Sequence, residues 1–281
     1  MNAPATAPAA LPWFLRVLRA FVRRELQAIG GYRAAFVTRL VGIASMMVAA
    51  VFFARFVGAV ANPHLAAYGG NYLGFIAVGF LGTAFQQVGV SGVAQRIRMA
   101  QVMGTLEAEV ATPAPSWMVL GAAPVYDFGA AALRSVVYLW AAAELVGLAL
   151  PRISAAGLAA TVPLVLAAFL GLGLLTAGST MLVRRTNPIA LMLGSVSFFL
   201  AGVVYPVAVL PPWLRAAGKL LPLTHALEAL RGALLTGASP ADLRGPLTAL
   251  ALFAAVLIPA GAGTFAYALR RARIDGSLTH Y

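Results

Sequence analysis

Six apolar runs, each close to the length of a membrane-crossing helix, constrain this chain more than any other feature. They cover Leu40–Val57, Tyr72–Val93, Pro124–Leu150, Leu158–Val183, Pro188–Leu210 and Leu247–Leu269. A hydrocarbon core about 30 Å thick is crossed by about 20 mainly apolar helical residues. Within lipid, every backbone N–H and C=O must find a partner inside the protein, which makes runs of this length helical. Charge agrees: 10% of residues are charged and the mean hydropathy is +0.88, whereas soluble domains carry about 25%. The expected fold is therefore an all-α polytopic membrane protein with six transmembrane helices.

Basic residues orient the spans. The formal charge of +12 comes from nineteen Arg and the single Lys219, against eight acids. In a soluble protein that excess would point to nucleic acid. Here the Arg residues fall between apolar runs, where they set topology instead, so no nucleic-acid partner is expected. With both termini in the cytoplasm, thirteen basic residues lie inside: Arg16, Arg19, Arg23, Arg24, Arg33, Arg39, Arg96, Arg98, Arg184, Arg185, Arg270, Arg271 and Arg273. Six lie outside (Arg55, Arg152, Arg215, Lys219, Arg231 and Arg244), and Arg134 falls within a span. The bias predicts cytoplasmic termini in a plasma membrane, with the loop after the second span on the cytoplasmic side.

Residues 1–10 are rich in Ala and Pro and are expected to be a disordered tail rather than a signal peptide. Residues 11–39 form the lead-in. Within it, Leu11, Phe14, Leu15, Leu18, Phe21 and Val22 recur at helical spacing opposite Arg16, Arg19 and Arg23. That pattern predicts an amphipathic helix lying in the headgroup plane. The spans then occupy a single domain, 40–270, followed by a cytoplasmic tail at 271–281.

The third run is longer than a span needs and contains Asp127, Arg134 and Glu144. Charge within the bilayer is costly, so these side chains are expected to face protein, water or an interface. They, with Gln86, Gln87, Ser195 and Ser197, are the intramembrane polar residues available to line a path; helix–helix contact is their alternative role. A proton-coupled secondary transporter using Asp127, Arg134 and Glu144 is a competing reading of the same residues, and a non-transporting scaffold is a third.

Two further stretches stand out. Gly104-Thr105-Leu106-Glu107-Ala108-Glu109-Val110-Ala111-Thr112-Pro113 carries two of the eight acids on an otherwise basic side and ends at a proline that stops a helix. Between the fifth and sixth runs, Pro206, Pro211, Pro212 and Pro222 interrupt an apolar segment containing Trp213, Glu228 and Arg231. It is too apolar for an ordinary loop and too broken for a spanning helix. Short re-entrant helices dipping into the outer leaflet meet both constraints. Glu228 and Arg231, three apart, are placed to pair across one turn.

Enzyme chemistry has no signature. The single lysine, Lys219, is followed by Leu220, so no phosphate-cradling Gly-x-x-x-x-Gly-Lys-Ser/Thr exists. His64, His225 and His280 lie far apart and cysteine is absent, so no metal site and no catalytic residue is expected.

The chain resembles the membrane subunits of ABC-2 type ABC transporters, the drug, lipo-oligosaccharide and polysaccharide export class. The likeness rests on Gly104-Thr105-Leu106-Glu107 with Thr112-Pro113 after the second span. It rests equally on Tyr205-Pro206, Leu210-Pro211-x-Trp213-Leu214, Leu221-Pro222-Leu223-Thr224 and Glu228-x-x-Arg231-Gly232. It implies a homodimer of six-span subunits in a bacterial inner membrane, with a coupling helix at Gly104, Thr105, Leu106, Glu107, Glu109, Thr112 and Pro113. Two copies of a separate ABC ATPase would dock on that helix, and ATP and Mg would belong to them; this chain would hold no cofactor. The cargo would be an amphiphile: a drug, a lipid or a lipid-linked glycan.

Overall fold

A computed structural model describes residues 71–92, 152–183 and 188–274, shorter pieces of 127–144, and a few isolated residues such as Leu65, Tyr68 and Ala94. Six α-helices are continuous within it: α1 Tyr72–Gln87, α2 Ala155–Val183, α3 Pro188–Leu200, α4 Pro212–Gly218, α5 Pro222–Arg231 and α6 Arg244–Ile274. Among the described residues there is no strand. The expected amphipathic helix, the first run apart from Phe52, and the Gly104–Pro113 stretch lie outside the described residues.

Three helical segments are long and apolar enough to cross a membrane: Tyr72–Gly92, Ala155–Leu182 and Arg244–Arg271. They fall on the second, fourth and sixth apolar runs. The third run is helical at every described position between Asp127 and Glu144.

α1 and α2 begin where side chains can satisfy their first amides; Ser154 Oγ accepts from Gly157 N at 3.0 Å at the head of α2. Asn71 caps α1, its Oδ1 accepting from Gly74 N at 3.0 Å. Ahead of α6, Ser239 and Asp242 bond reciprocally: Ser239 N and Oγ donate to Asp242 Oδ2 at 2.9 and 2.7 Å, and Asp242 N donates to Ser239 Oγ at 3.4 Å. This Ser-x-x-Asp pair closes the turn that leads into α6, whose helix begins at Arg244, three residues before the apolar run at Leu247.

The largest contact in the described part is α2 against α6. Gly171 and Gly178 are seven apart and so share a face. A Cβ on Gly171 would sit 2.7 Å from Ile258 N, and one on Gly178 2.9 Å from Phe265 N. Helix backbones meet here because the side chains that would separate them are missing. At its far end α1 widens into a π turn, Val88–Gly92. Its freed Val90 carbonyl accepts from Thr176 Oγ1 at 2.7 Å, and a Cβ on Gly173 would lie 2.1 Å from Gly89 O.

The fifth run departs from expectation. Its helix, α3, stops at Leu200 rather than continuing to Leu210. Gly202 adopts φ +72°, a left-handed conformation that only glycine takes without strain and that ends helices. A turn, a short 3-10 stretch at Val207–Val209 and the two short helices α4 and α5 follow. α5 lies against α1, α2 and α6 at once. Leu223, Ala226, Leu227 and Ala229 enter the main core with Phe85, Phe128, Phe169, Val203 and Leu250.

Candidate functional site

The broken segment from Ala201 to Thr236 is where the chain departs furthest from regular helix. Every break frees carbonyls that a helix would have used, and buried carbonyls without partners are destabilising. Side chains recruited from both sides supply the donors. Arg215 Nη2 donates to Ala208 O at 2.6 Å and Leu210 O at 3.2 Å. Thr224 Oγ1 donates to Gly218 O at 2.6 Å, and His225 Nε2 bonds Lys219 O at 2.9 Å. Tyr205 OH donates back to Phe199 O at the end of α3. Tyr72 OH, from the first turn of α1, donates to Val204 O at 2.7 Å.

Arg231 is the centre of this arrangement. It is 2% exposed. Its Nη2 donates to Gly202 O at 2.9 Å, Val203 O at 3.0 Å and Phe75 O at 3.2 Å, while Nε reaches Phe75 O at 3.4 Å. The guanidinium carbon lies 3.4 Å from the centroid of the Phe75 ring and 5.8 Å from that of Tyr68, the geometry of cation–π attraction. Tyr68 meets Phe75 edge-on at 5.1 Å. One side chain thus joins α1, the break after α3, and α5.

Gly79 makes the approach possible. A Cβ there would fall 2.2 Å from Val203 O and 3.1 Å from Arg231 Nη2. Only a residue without a side chain lets the 202–203 backbone lie against α1. Arg231 turns away from Glu228, which is exposed, so the pairing expected from their spacing is replaced by carbonyl bonds. The signal for this was present in the sequence: Leu223, Leu227 and Arg231 recur every four residues and occupy one apolar face.

The remaining residues singled out from sequence separate into groups. Gln86 and Ser197 are both buried and bond each other, Nε2 to Oγ at 2.9 Å, tying α1 to α3. Gln87 is exposed and donates to Ser91 Oγ one turn on, at 2.9 Å. Ser195 is also exposed, on a face of α3 that includes Val196 and Phe199. Asp127 is half-buried and directs Oδ2 toward Gly92 at the end of the π turn; Glu144 is exposed. Arg134 lies outside the described residues. Pro206 and Pro222 are buried, whereas Pro211 and Trp213 are exposed. No described group of three or more His, Asp or Glu is placed to hold a metal ion.

A broken, proline-rich, arginine-bolted segment is thus set among helices of membrane-crossing length. A family model described as ABC-2 type transporter matches residues 16–235. The chain belongs to the ABC-2 type transporter family. A comparison with curated proteins found no match. Membership makes this chain a multi-pass permease of an ABC transporter, a transport subunit that works with an ABC ATPase subunit. The matched region ends within the π turn Gly232–Thr236 that follows Arg231, so it includes the whole Arg231 site.

Proposed function

We propose that the permease exports an amphiphile (a drug, a lipid or a lipid-linked glycan) across a bacterial inner membrane, as a homodimer driven by two copies of its ATPase. In this reading six spans cross the bilayer with both termini in the cytoplasm. Tyr72 then lies at the outer end of α1 and Gly92 toward the inner end, while α4 and α5 dip into the outer leaflet. Exposed Trp213 and Leu220 suit that depth, where aromatic and apolar side chains meet headgroups.

The observation that carries the reading is the Arg231 site. A backbone break can sit at membrane depth only if protein satisfies its freed groups, and here eight carbonyls from Phe199 to Lys219 find side-chain partners. Two polar side chains, Gln87 on α1 and Ser195 on α3, face out of the single subunit. A second copy and a path between the copies would give both a setting other than lipid.

The stroke would enter through Gly104–Pro113, with Glu107 and Glu109 seated in a basic groove of the ATPase. Glu107→Arg is the test. Co-purified ATPase should lose most of its stimulation by the permease, about tenfold in turnover, while the permease still inserts in the membrane. Stimulation that survives the charge reversal would remove the coupling role.

A further inference from the structure

We propose that Arg231 is a positioning residue that makes the outer end of α1, the break after α3 and α5 into one moving block, so that displacement of α1 reaches the outer mouth undivided. The inference rests on the export reading above, which supplies the direction of the stroke.

Adhesion alone does not require such a residue. A buried cation without a carboxylate is an expensive way to hold helices together, and apolar packing of similar volume does it at less cost. Among the described residues no acid pairs with Arg231; its partners are neutral carbonyls and an aromatic face. What the guanidinium adds is geometry. Its flat, forked set of donors reaches carbonyls of two other elements at once, which neither an ammonium nor an amide can do with the same rigidity. Gly79 and Gly202 hold those carbonyls where the fork needs them: Gly79 by leaving room for Val203 O, Gly202 through its φ of +72°.

The position in the chain matters as much. α1 is the helix that leads toward Gly104–Pro113, and Phe75 lies in its first turn, at the other end from the π turn Val88–Gly92. A push arriving at Gly92 therefore travels the length of α1 before it meets Arg231. There it is passed together to the break after α3 and to the helix α5, which itself lies on α2 and α6. Without the bolt, α1 could shift while the broken segment stayed behind.

The chain has no cysteine, so one introduced at Val209, exposed within the broken segment, reports on that segment alone. The permease and its ATPase, co-expressed and placed in lipid nanodiscs, are labelled with a membrane-impermeant maleimide, without nucleotide and after trapping with ATP and vanadate. In the parent, trapping should change the labelling rate about threefold or more, as expected where a conformational step accompanies turnover. In Arg231→Gln that change should vanish, with turnover lowered about tenfold and the KM for ATP unmoved. Arg231→Lys should recover part of it. Gly79→Ala, which keeps the arginine but displaces Val203 O, should reproduce the loss, and it carries the test if Arg231→Gln fails to assemble. Combining it with Arg231→Lys should cost less than the sum of the two, since both act through one carbonyl.

A parental response that persists in both Arg231→Gln and Gly79→Ala would overturn the inference and leave the export reading intact. A parent that binds its ATPase yet shows no nucleotide response would overturn both.

Discussion

The α2–α6 pair and the broken segment around Arg231 solve the same problem in opposite ways. Both must bury polar backbone in an apolar setting. In α2 and α6 the helices run on for 29 and 31 residues, interior carbonyls bond within the helix except one turn ahead of Pro163 and Pro259, and contact is made by removing side chains. Glycine there supplies room: a Cβ on Gly261 would lie 2.5 Å from Gly171 O. Around Arg231 the helices are short, carbonyls are freed, and contact is made by adding long polar side chains. Glycine there also supplies conformation, as at Gly202. Continuous helices need emptiness at their interface, and broken ones need donors.

The sharpest way to break the first solution is Gly173→Leu. Its Cβ would meet Gly89 O at 2.1 Å, a backbone atom that cannot rotate away, so α2 and the π turn must part. The expected loss is about 3 kcal/mol or more, the upper end of overpacking costs, read as a lower midpoint of denaturant-induced unfolding in detergent. Gly173→Ala should cost less and Gly173→Asn more than alanine, because the only variable is size.

At Gly202 the order should reverse, which makes it the test of whether the two regions differ in kind. Alanine at φ +72° costs about 1–2 kcal/mol from the left-handed conformation, and its Cβ would press on Tyr205 O at 2.8 Å. Asparagine is larger but enters that conformation more readily. Gly202→Asn should therefore unfold at a higher midpoint than Gly202→Ala. The same ranking at both sites would mean that Gly202, like Gly173, is a matter of space.

This contrast also sets what could be read from the sequence. The continuous helices were legible because one property, a run of apolar residues, specifies them. Tyr72–Val93, Leu158–Val183 and Leu247–Leu269 differ from the helical segments found by no more than a few residues, and α6 starts at Arg244 directly after the Ser239–Asp242 turn, which apolarity does not register. The break after Leu200 was hidden inside an apolar run, though Gly202 followed by Pro206 marks a helix end. That α4 and α5 are short helices was visible from their prolines. The destination of Arg231 was not. Pairing it with Glu228 uses local spacing, whereas its partners Phe75, Gly202 and Val203 are brought in by the fold, from 156, 29 and 28 residues away. Gln86 and Ser197, chosen as path residues or helix contacts, are bonded to each other across 111 residues; no local pattern encodes that choice.

The Ser239–Asp242 box offers the same device as the Arg231 site, a side chain satisfying stray backbone, but placed at the surface before α6. The Ser239 hydroxyl, and after it the Ser239 N–H, hold the exposed Asp242 carboxyl below the usual carboxylate range. A depressed folded-state pKa means the unfolded chain takes up its proton first as pH falls. The box should therefore stabilise the start of α6 at neutral pH and lose that contribution as pH drops below about 4, the ordinary aspartate value. Protection of the Ser239 and Asp242 amides from exchange, relative to the intrinsic rate at each pH, should fall over that range in the parent. In Asp242→Asn protection should already be low at neutral pH and nearly insensitive to acid. Because water competes for these groups, this is the smallest effect of the three; a box that resisted acid as firmly as the buried carbonyl bonds would mean that burial is not what separates the two.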